Sequence, residues 1–331
     1  MMNTIPAQQT LAPLITKAAS NQTYYTIRFL ADHERIADAY RAYAYFRWVD
    51  DTLDANPDFV LSGAVEVVDT YPGGRCQGAW ERVNFLERQK SLLEKCYRGA
   101  TIQDATPEEQ MLIELVRHDD QKNSGLHSYL RNMMQVMDFD VKRRGRLISQ
   151  HELNHYTYWL ASAVTEAMHY FIGHNSYAPH HESRYLAVTG AHIAHMLRDT
   201  FDDMQAGYYN IPREVLETGH LQPQDVQNST YRVWVQSRVQ LARECFKAGR
   251  EYLAHVENPR CRLAGLAYTA RFEWLLDTVE QEGYILRPEY SERKSLGVGV
   301  RMGSSTLASF IRWRETETLP QPVVSQSLRK L

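Results

Sequence analysis

The stretch from Tyr40 to Asp54, YRAYAYFRWVDDTLD, constrains the fold more than any other part of the chain. On an α-helix, Ile36, Tyr40, Tyr43, Arg47, Asp50 and Asp54 succeed one another at steps of four and three residues, which puts all six on one stripe. A surface helix sets its acids opposite its apolar face, whereas here the acids continue that face. Asp51 lies one position off, within i,i+4 reach of Arg47. Carboxylates on an inward-facing stripe need a partner, because an unpaired buried charge is costly. For two acids one turn apart that partner is a hard divalent cation such as Mg2+. The plainer alternative is a solvated helix end.

A second stretch, Gly190 to Leu216, repeats the pattern. His192, His195, Asp199 and Asp203 share one helical stripe, with Arg198 and Asp202 beside it, so both imidazoles are expected to point the same way. Arg47 with Asp50 and Asp54, and Arg198 with Asp199 and Asp203, form the same Arg plus Asp-x-x-x-Asp unit. Two such helices facing each other would enclose metal ions and a polyanion such as diphosphate. The recurrence weakens the solvated-end reading.

The rest of the chain is compatible with an all-α protein. It has 331 residues, 44% of them hydrophobic, with only 17 Gly and 12 Pro, and no alternating apolar run dominates. A net charge of -3 supplies no basic field, so nucleic acid is not an implied partner. Four cysteines without metal or redox spacing, and no secretory leader, fit reduced thiols in a cytoplasmic protein. No apolar run approaches a membrane span, which leaves peripheral contact with a bilayer open.

Helical patterns are expected over 32–55, 80–97, 107–116, 124–144, 152–171, 184–206, 229–255 and 259–283. The 152–171 stretch is so apolar and aromatic that it reads as the central helix. Gly207 suits a left-handed cap and Pro259 a first helical turn. Residues 1–20 read as a lead-in segment, 21–286 as one helical domain, and 287–331 as a tail with a short amphipathic helix near Leu307–Trp313. Tyr71-Pro72-Gly73-Gly74 marks a turn. Gly297 to Gly303 resembles a dinucleotide loop only superficially, since its last spacing is wrong. Twenty tyrosines are mostly core material; Tyr43, on the stripe of Asp50, is the best candidate to stabilise a carbocation through its ring face. His118-Asp119 reads as a loop, and the basic run from Lys142 to Arg146 as a helix end.

These segments carry a resemblance. YAYFRWVDDTLD resembles the first aspartate-rich motif of the squalene/phytoene synthase family, and HMLRDTFDDMQAGYYNIPREVL resembles its second. Between them, YLRNMMQVMDFDV and HYTYWLASAV are similar to its intervening helices, and FEWLLDTVEQEGY to its late helix. The resemblance implies an all-α isoprenoid-synthase fold around a deep central cavity. It also implies head-to-head condensation of two farnesyl or geranylgeranyl diphosphates through a cyclopropyl diphosphate. Carried over, the catalytic acids are Asp50, Asp51, Asp54, Asp199, Asp202 and Asp203, of which Asp50, Asp54, Asp199 and Asp203 would hold Mg2+. Arg47 and Arg198 would contact phosphate, and Tyr24, Tyr43 and Tyr156 would line the cavity with His192 and His195. Whether NADPH serves as reductant stays open, because the family's reductive members lack a simple nucleotide fingerprint.

The chain departs from the family pattern at four places. His192 and His195 stand where amides are usual, Ser162 and Thr165 where the middle helix has close-packing glycines, Tyr208 where a cation is usual, and Phe272 where a Tyr is usual. Imidazoles there would favour Mn2+ as an alternative metal and a pH response between about 6 and 8. Two rival readings remain: a non-catalytic relative that binds or assembles, and a helical metalloenzyme using His192, His195, Asp199 and Asp203.

Overall fold

The computed structural model describes residues 7–54, 74–119, 121 and 123–290. Among them every regular element is helical, and none of the helices is long and apolar enough to cross a membrane. The chain divides into two compact units, residues 1–127 and 128–331.

The first unit holds α1 (Ala7–Ala19), α2 (Asn21–Leu30), α3 (Ile36–Asp54), α4 (Gly74–Tyr97) and α5 (Pro107–Arg117). Ser20 starts α2 by accepting from the Thr23 backbone N–H at 3.2 Å. A 3-10 turn, His33–Arg35, delays α3 to Ile36, later than the sequence suggested. Thr106 and Glu109 form a reciprocal capping box at the head of α5, with Pro107 in its first turn. α3 packs against α1, α2, α4 and α5.

The most deeply packed stripe of α3 is Ala39, Ala42, Phe46, Val49 and Leu53, none more than 6% exposed. Each lies one residue before a member of the stripe Tyr40, Tyr43, Arg47, Asp50 and Asp54. The acidic stripe is therefore turned about 100° from the packed one. Tyr40, at the head of that stripe, is buried in the core, whereas Tyr43, Arg47 and Asp50 are half-buried and Asp54 is exposed, so the acids border the core instead of facing it. Glu109 ties three helices of this unit together. Arg88 donates to it at 2.6 and 2.7 Å, and Gln89 donates at 2.9 Å while accepting from Tyr45 at 3.1 Å.

The second unit contains most of α6 (Gly125–Arg143), then α7 (Gln150–Phe171), α8 (Leu186–Arg198), α9 (Thr200–Gln205), α10 (Arg213–Gly219), α11 (Ser229–Ala254) and α12 (Pro259–Gln281). A capping box of Ser149 and Glu152 begins α7, two residues earlier than expected. Asn258 caps α12 by accepting from the N–H groups of Arg260 and Cys261, with Pro259 in its first turn. The central helix is α8, not α7. α8 contacts α7, α11 and α12, and of Leu186 to Leu197 only His195 is exposed. α7 instead exposes His151, His155 and Tyr158 along one side.

Two glycines explain how closely α8 meets α11. A Cβ on Gly249 would lie 2.6 Å from the Ala187 nitrogen, and one on Gly190 would lie 2.9 Å from the Ala242 carbonyl oxygen. The same N-terminal end of α8 is fixed further by a buried pair just before it, Arg184 donating to Glu166 at 2.7 and 2.9 Å. Tyr185 also donates to Glu166, at 3.0 Å.

The expected single helix over 184–206 is three pieces: a 3-10 turn at Glu182–Tyr185, α8 and α9. It kinks at Asp199, whose φ and ψ are -93° and 9°. The i to i−4 bonds survive the kink, from Asp199 N to His195 O at 3.0 Å and from Asp203 N to Asp199 O at 2.8 Å. Asp199 and Asp203 therefore remain one turn apart. Gly207 ends this segment with φ of 86°, the left-handed conformation its position suggested. Residues 71–73 of the expected turn and the amphipathic helix near 307–313 lie outside the described residues, while Gly74, the last residue of that turn, instead begins α4.

Candidate functional site

The first acidic segment occupies the last turn of α3. Asp50, Asp51 and Asp54 crowd the negative end of that helix, and the turn contains no basic residue. The macrodipole disfavours carboxylates there. Arg47, one turn earlier, offsets the cost: it pairs with Asp50 at 3.1 Å and with Asp51. The Arg47 and Asp50 side chains are 38% and 39% exposed, so this is an open cluster at the core's edge and not a buried one. Tyr43 is half-buried on the same stripe. Tyr24 stacks on Tyr40 with ring centroids 5.3 Å apart, and Tyr40 donates to the Tyr24 carbonyl at 3.1 Å. Burial pushes the Tyr40 phenol up to about 12.

The second acidic segment straddles the α8–α9 kink, and its two principal acids have opposite electrostatic environments. Asp199 is gripped by the Arg198 guanidinium at 2.5 and 2.7 Å and by His195 Nε2 at 2.8 Å. These contacts outweigh its burial and hold its carboxyl well below the usual carboxylate range. Asp203 makes no ion pair among the described residues. Burial, with the charge of Asp199, pushes it from its ordinary 3.8 up to about 6, although Asn210 donates to it at 2.5 Å. Asp202 is exposed.

The two imidazoles part company, contrary to the shared stripe. The kink and the solvent edge leave the His195 side chain 49% exposed on Asp199, while His192 is only 5% exposed and meets the edge of Tyr156 at 5.2 Å. Neither ring nitrogen of His192 has a hydrogen-bond partner among the described residues, and burial holds it neutral, far below its ordinary 6.5. A pH response through His192 is therefore not expected. Tyr156 is placed differently from a bare cavity-lining ring: its hydroxyl donates to Asp140 at 3.0 Å, and the Arg143 guanidinium lies 4.7 Å from its centroid. His118 and Asp119 do not act as a pair. His118 meets Asp38 at 3.0 Å, while Asp119 accepts from Tyr97 and Ser124.

Among the described residues no three His, Cys, Asp or Glu side chains converge as a metal-holding group. This arrangement does not assemble His192, His195, Asp199 and Asp203 into the nitrogen-rich centre of the rival metalloenzyme reading. It does suit Mg2+, which takes one or two protein carboxylates and draws its remaining ligands from water and phosphate. A carboxylate held against its own ionisation, as Asp203 is, gains most from an arriving cation. From the sequence Arg143 reads only as part of a basic helix end, and Asp140 and Asn210, which join it in a hydrogen-bonded set reaching Asp203, carry no expected site role. The run DFD before the basic segment and the asparagine between Gly207 and Pro212 are the only local hints of them.

Comparison with known proteins agrees with this architecture. The family model described as squalene/phytoene synthase matches residues 16–296. No curated protein matches the chain significantly. Among solved structures, squalene synthase HpnC from Alicyclobacillus acidocaldarius superposes with a TM-score of 0.60 at 16% identity, covering 85% of this chain and 95% of that one. A dehydrosqualene synthase solved in complex with ligand superposes with a TM-score of 0.62 at 15% identity, covering 93% of this chain and 97% of that one. At such identities the superpositions speak for the fold, and the family match over most of the sequence speaks for descent. The chain belongs to the squalene/phytoene synthase family.

Proposed function

We propose that this chain, a prenyltransferase by its family, condenses two prenyl diphosphates of farnesyl or geranylgeranyl length head to head, with Mg2+ as its cofactor. The observation that carries the reading is the Arg plus Asp-x-x-x-Asp unit present twice, its acids stacked one turn apart within α3 and across the hydrogen-bonded kink between α8 and α9. Asp50, Asp54, Asp199 and Asp203 would hold the cations, which when bound supply charge neutralisation to the departing diphosphate. Asp51 and Asp202 flank these acids and add negative charge that attracts the metal. Arg47 and Arg198 each pair with their own aspartates. Were those carboxylates to hold a cation, the guanidiniums would be available to donate to phosphate oxygens.

The chemistry then follows from the substrates. The allylic C–O bond of one prenyl diphosphate breaks, and diphosphate leaves with the electron pair. The double bond of the second chain attacks the resulting cation, and loss of a proton closes a cyclopropane. Its diphosphate ionises in turn, and rearrangement gives a linear hydrocarbon after loss of a proton or gain of a hydride. NADPH is required only in the hydride case. Tyr43 is best placed to present a ring face to developing positive charge, because Tyr156 already carries Arg143. A water-insoluble product makes a membrane surface the natural place of delivery.

The test is incubation of purified protein with farnesyl or geranylgeranyl diphosphate and Mg2+, followed by mass analysis of the lipid extract. A squalene- or phytoene-type hydrocarbon is expected. Asp50→Asn and Asp203→Asn, checked for native helicity, are expected to lower turnover at least ~100-fold, the size of effect seen when charge stabilisation is removed from an active site. Near-normal turnover in either variant refutes the metal role of these acids, and absence of a hydrocarbon with both substrates favours the binding or assembly reading.

A further inference from the structure

Arg143 closes α6 and is 5% exposed, and Asn210, in the segment between Gly207 and Pro212, is 6% exposed. A continuous set of hydrogen bonds joins them to the second acidic segment. Tyr156 donates to Asp140 Oδ2 at 3.0 Å, and Arg143 Nε donates to Asp140 Oδ1 at 2.6 Å. Arg143 Nη1 donates to Asn210 Oδ1 at 2.8 Å, and Asn210 Nδ2 donates to Asp203 Oδ2 at 2.5 Å. The direction of this relay is fixed by its chemistry. A guanidinium has donors and no acceptor, so only the amide oxygen of Asn210 can face it. The amide N–H must then point at Asp203. The guanidinium itself is held by Asp140 and lies 4.7 Å from the ring centroids of both Tyr156 and Tyr208.

We infer that Arg143 and Asn210 are positioning residues that set the carboxylate of Asp203, with Arg143 acting through the oriented amide of Asn210. Asp199 has Arg198 and His195 to orient it, and Asp203 has no ion pair among the described residues, so the relay does for Asp203 what those two groups do for Asp199. One oxygen of Asp203 is committed to the amide, and the carboxylate presents its other oxygen in a single orientation. Metal ligands held by such outer hydrogen bonds bind more tightly than ligands free to rotate.

This inference rests on the metal-binding role proposed above for Asp203, and the experiment separates the two. Binding of Mn2+ to the full-length, metal-free protein is followed by the electron paramagnetic resonance of free Mn2+, with inorganic diphosphate present. Asp203→Asn is measured beside Asn210→Leu, Arg143→Met and Arg143→Lys. Asn210→Leu and Arg143→Met are expected to weaken Mn2+ binding about tenfold or more. Arg143→Lys, which retains a donor and a charge, should restore part of that loss. Asn210→Leu should add nothing on top of Asp203→Asn, and turnover should recover at saturating Mg2+, so that the metal requirement rises more than kcat falls. Lowered thermal stability with unchanged Mn2+ binding would show that the relay only braces the fold, and this overturns the inference. Additive losses in the double variant overturn it too. If Asp203→Asn alone leaves Mn2+ binding intact, the metal role of Asp203 fails first and the relay's role falls with it. Should Arg143→Met not fold, Asn210→Leu and Arg143→Lys decide the question.

Discussion

Replacing Asp203 by Asn should stabilise the metal-free protein at neutral pH, and the effect should vanish in acid. The folded-state carboxyl is raised from 3.8 to about 6 by burial and by the neighbouring charge of Asp199. The native protein therefore holds a proton on Asp203 that the unfolded chain has released between those values, and stability falls as pH rises through that window. Above about pH 6 the whole penalty is present; below about pH 4 none of it is. The gap corresponds to at most ~3 kcal/mol. Partial exposure, and a neutral amide that still accepts from Asn210, reduce the expected gain to about 1–2 kcal/mol. Urea denaturation in EDTA at pH 7.5 and pH 4 measures both ends. Adding Mg2+ with diphosphate should reverse the order, since only the wild-type carboxylate gains from a cation. Equal stabilities of the two proteins at pH 7.5, or a gain of the same size at both pH values, would refute the electrostatic account of Asp203.

Gly249→Ala is expected to cost about 1–3 kcal/mol in urea denaturation, because its Cβ meets the backbone of Ala187, which cannot swing aside; an unchanged midpoint would mean that α8 and α11 separate easily. His192→Gln should leave the pH dependence of turnover between 6 and 8 unaltered, because burial keeps the imidazole neutral throughout; a shifted profile would show that His192 titrates in the working enzyme.

Sequence periodicity located the helices well wherever a local signal marks their ends. Pro107 and Pro259 open α5 and α12 as expected, and Gly207 caps the second acidic segment. Both aspartate-rich segments were legible because acids at helical spacing beside an Arg need only a few neighbouring residues to recognise. What periodicity does not resolve is rotation about a helix axis when two adjacent stripes both begin with apolar residues. In α3, Ala39–Leu53 and Tyr40–Asp54 adjoin, and from Phe46 onward the uncharged stripe takes the core. The same limit separates His192 from His195, since one lies under Tyr156 and the other at the edge on Asp199. α7 looked central by composition, yet the helix surrounded by others is α8, where glycine at 190 and alanines at 187, 191 and 194 admit close neighbours. The relay to Asp203 was invisible because its key bond joins residues 67 positions apart, Arg143 and Asn210, and no local pattern reports such a pairing.

The glycine-mediated meeting of α8 and α11 bears on how this chain tolerates sequence drift. Where two helices touch through backbone, their spacing depends little on which side chains occupy their other faces. Gly190 and Gly249 provide such contacts on the buried length of α8 that leads to Asp199. Residues around the rest of that helix are then free to change chemistry without moving the main chain that carries the acids. Imidazoles can occupy 192 and 195, one buried and one at the surface, while the aspartates keep their stacking. Backbone contact of this kind offers a physical route by which a superposable fold persists at 15% and 16% identity.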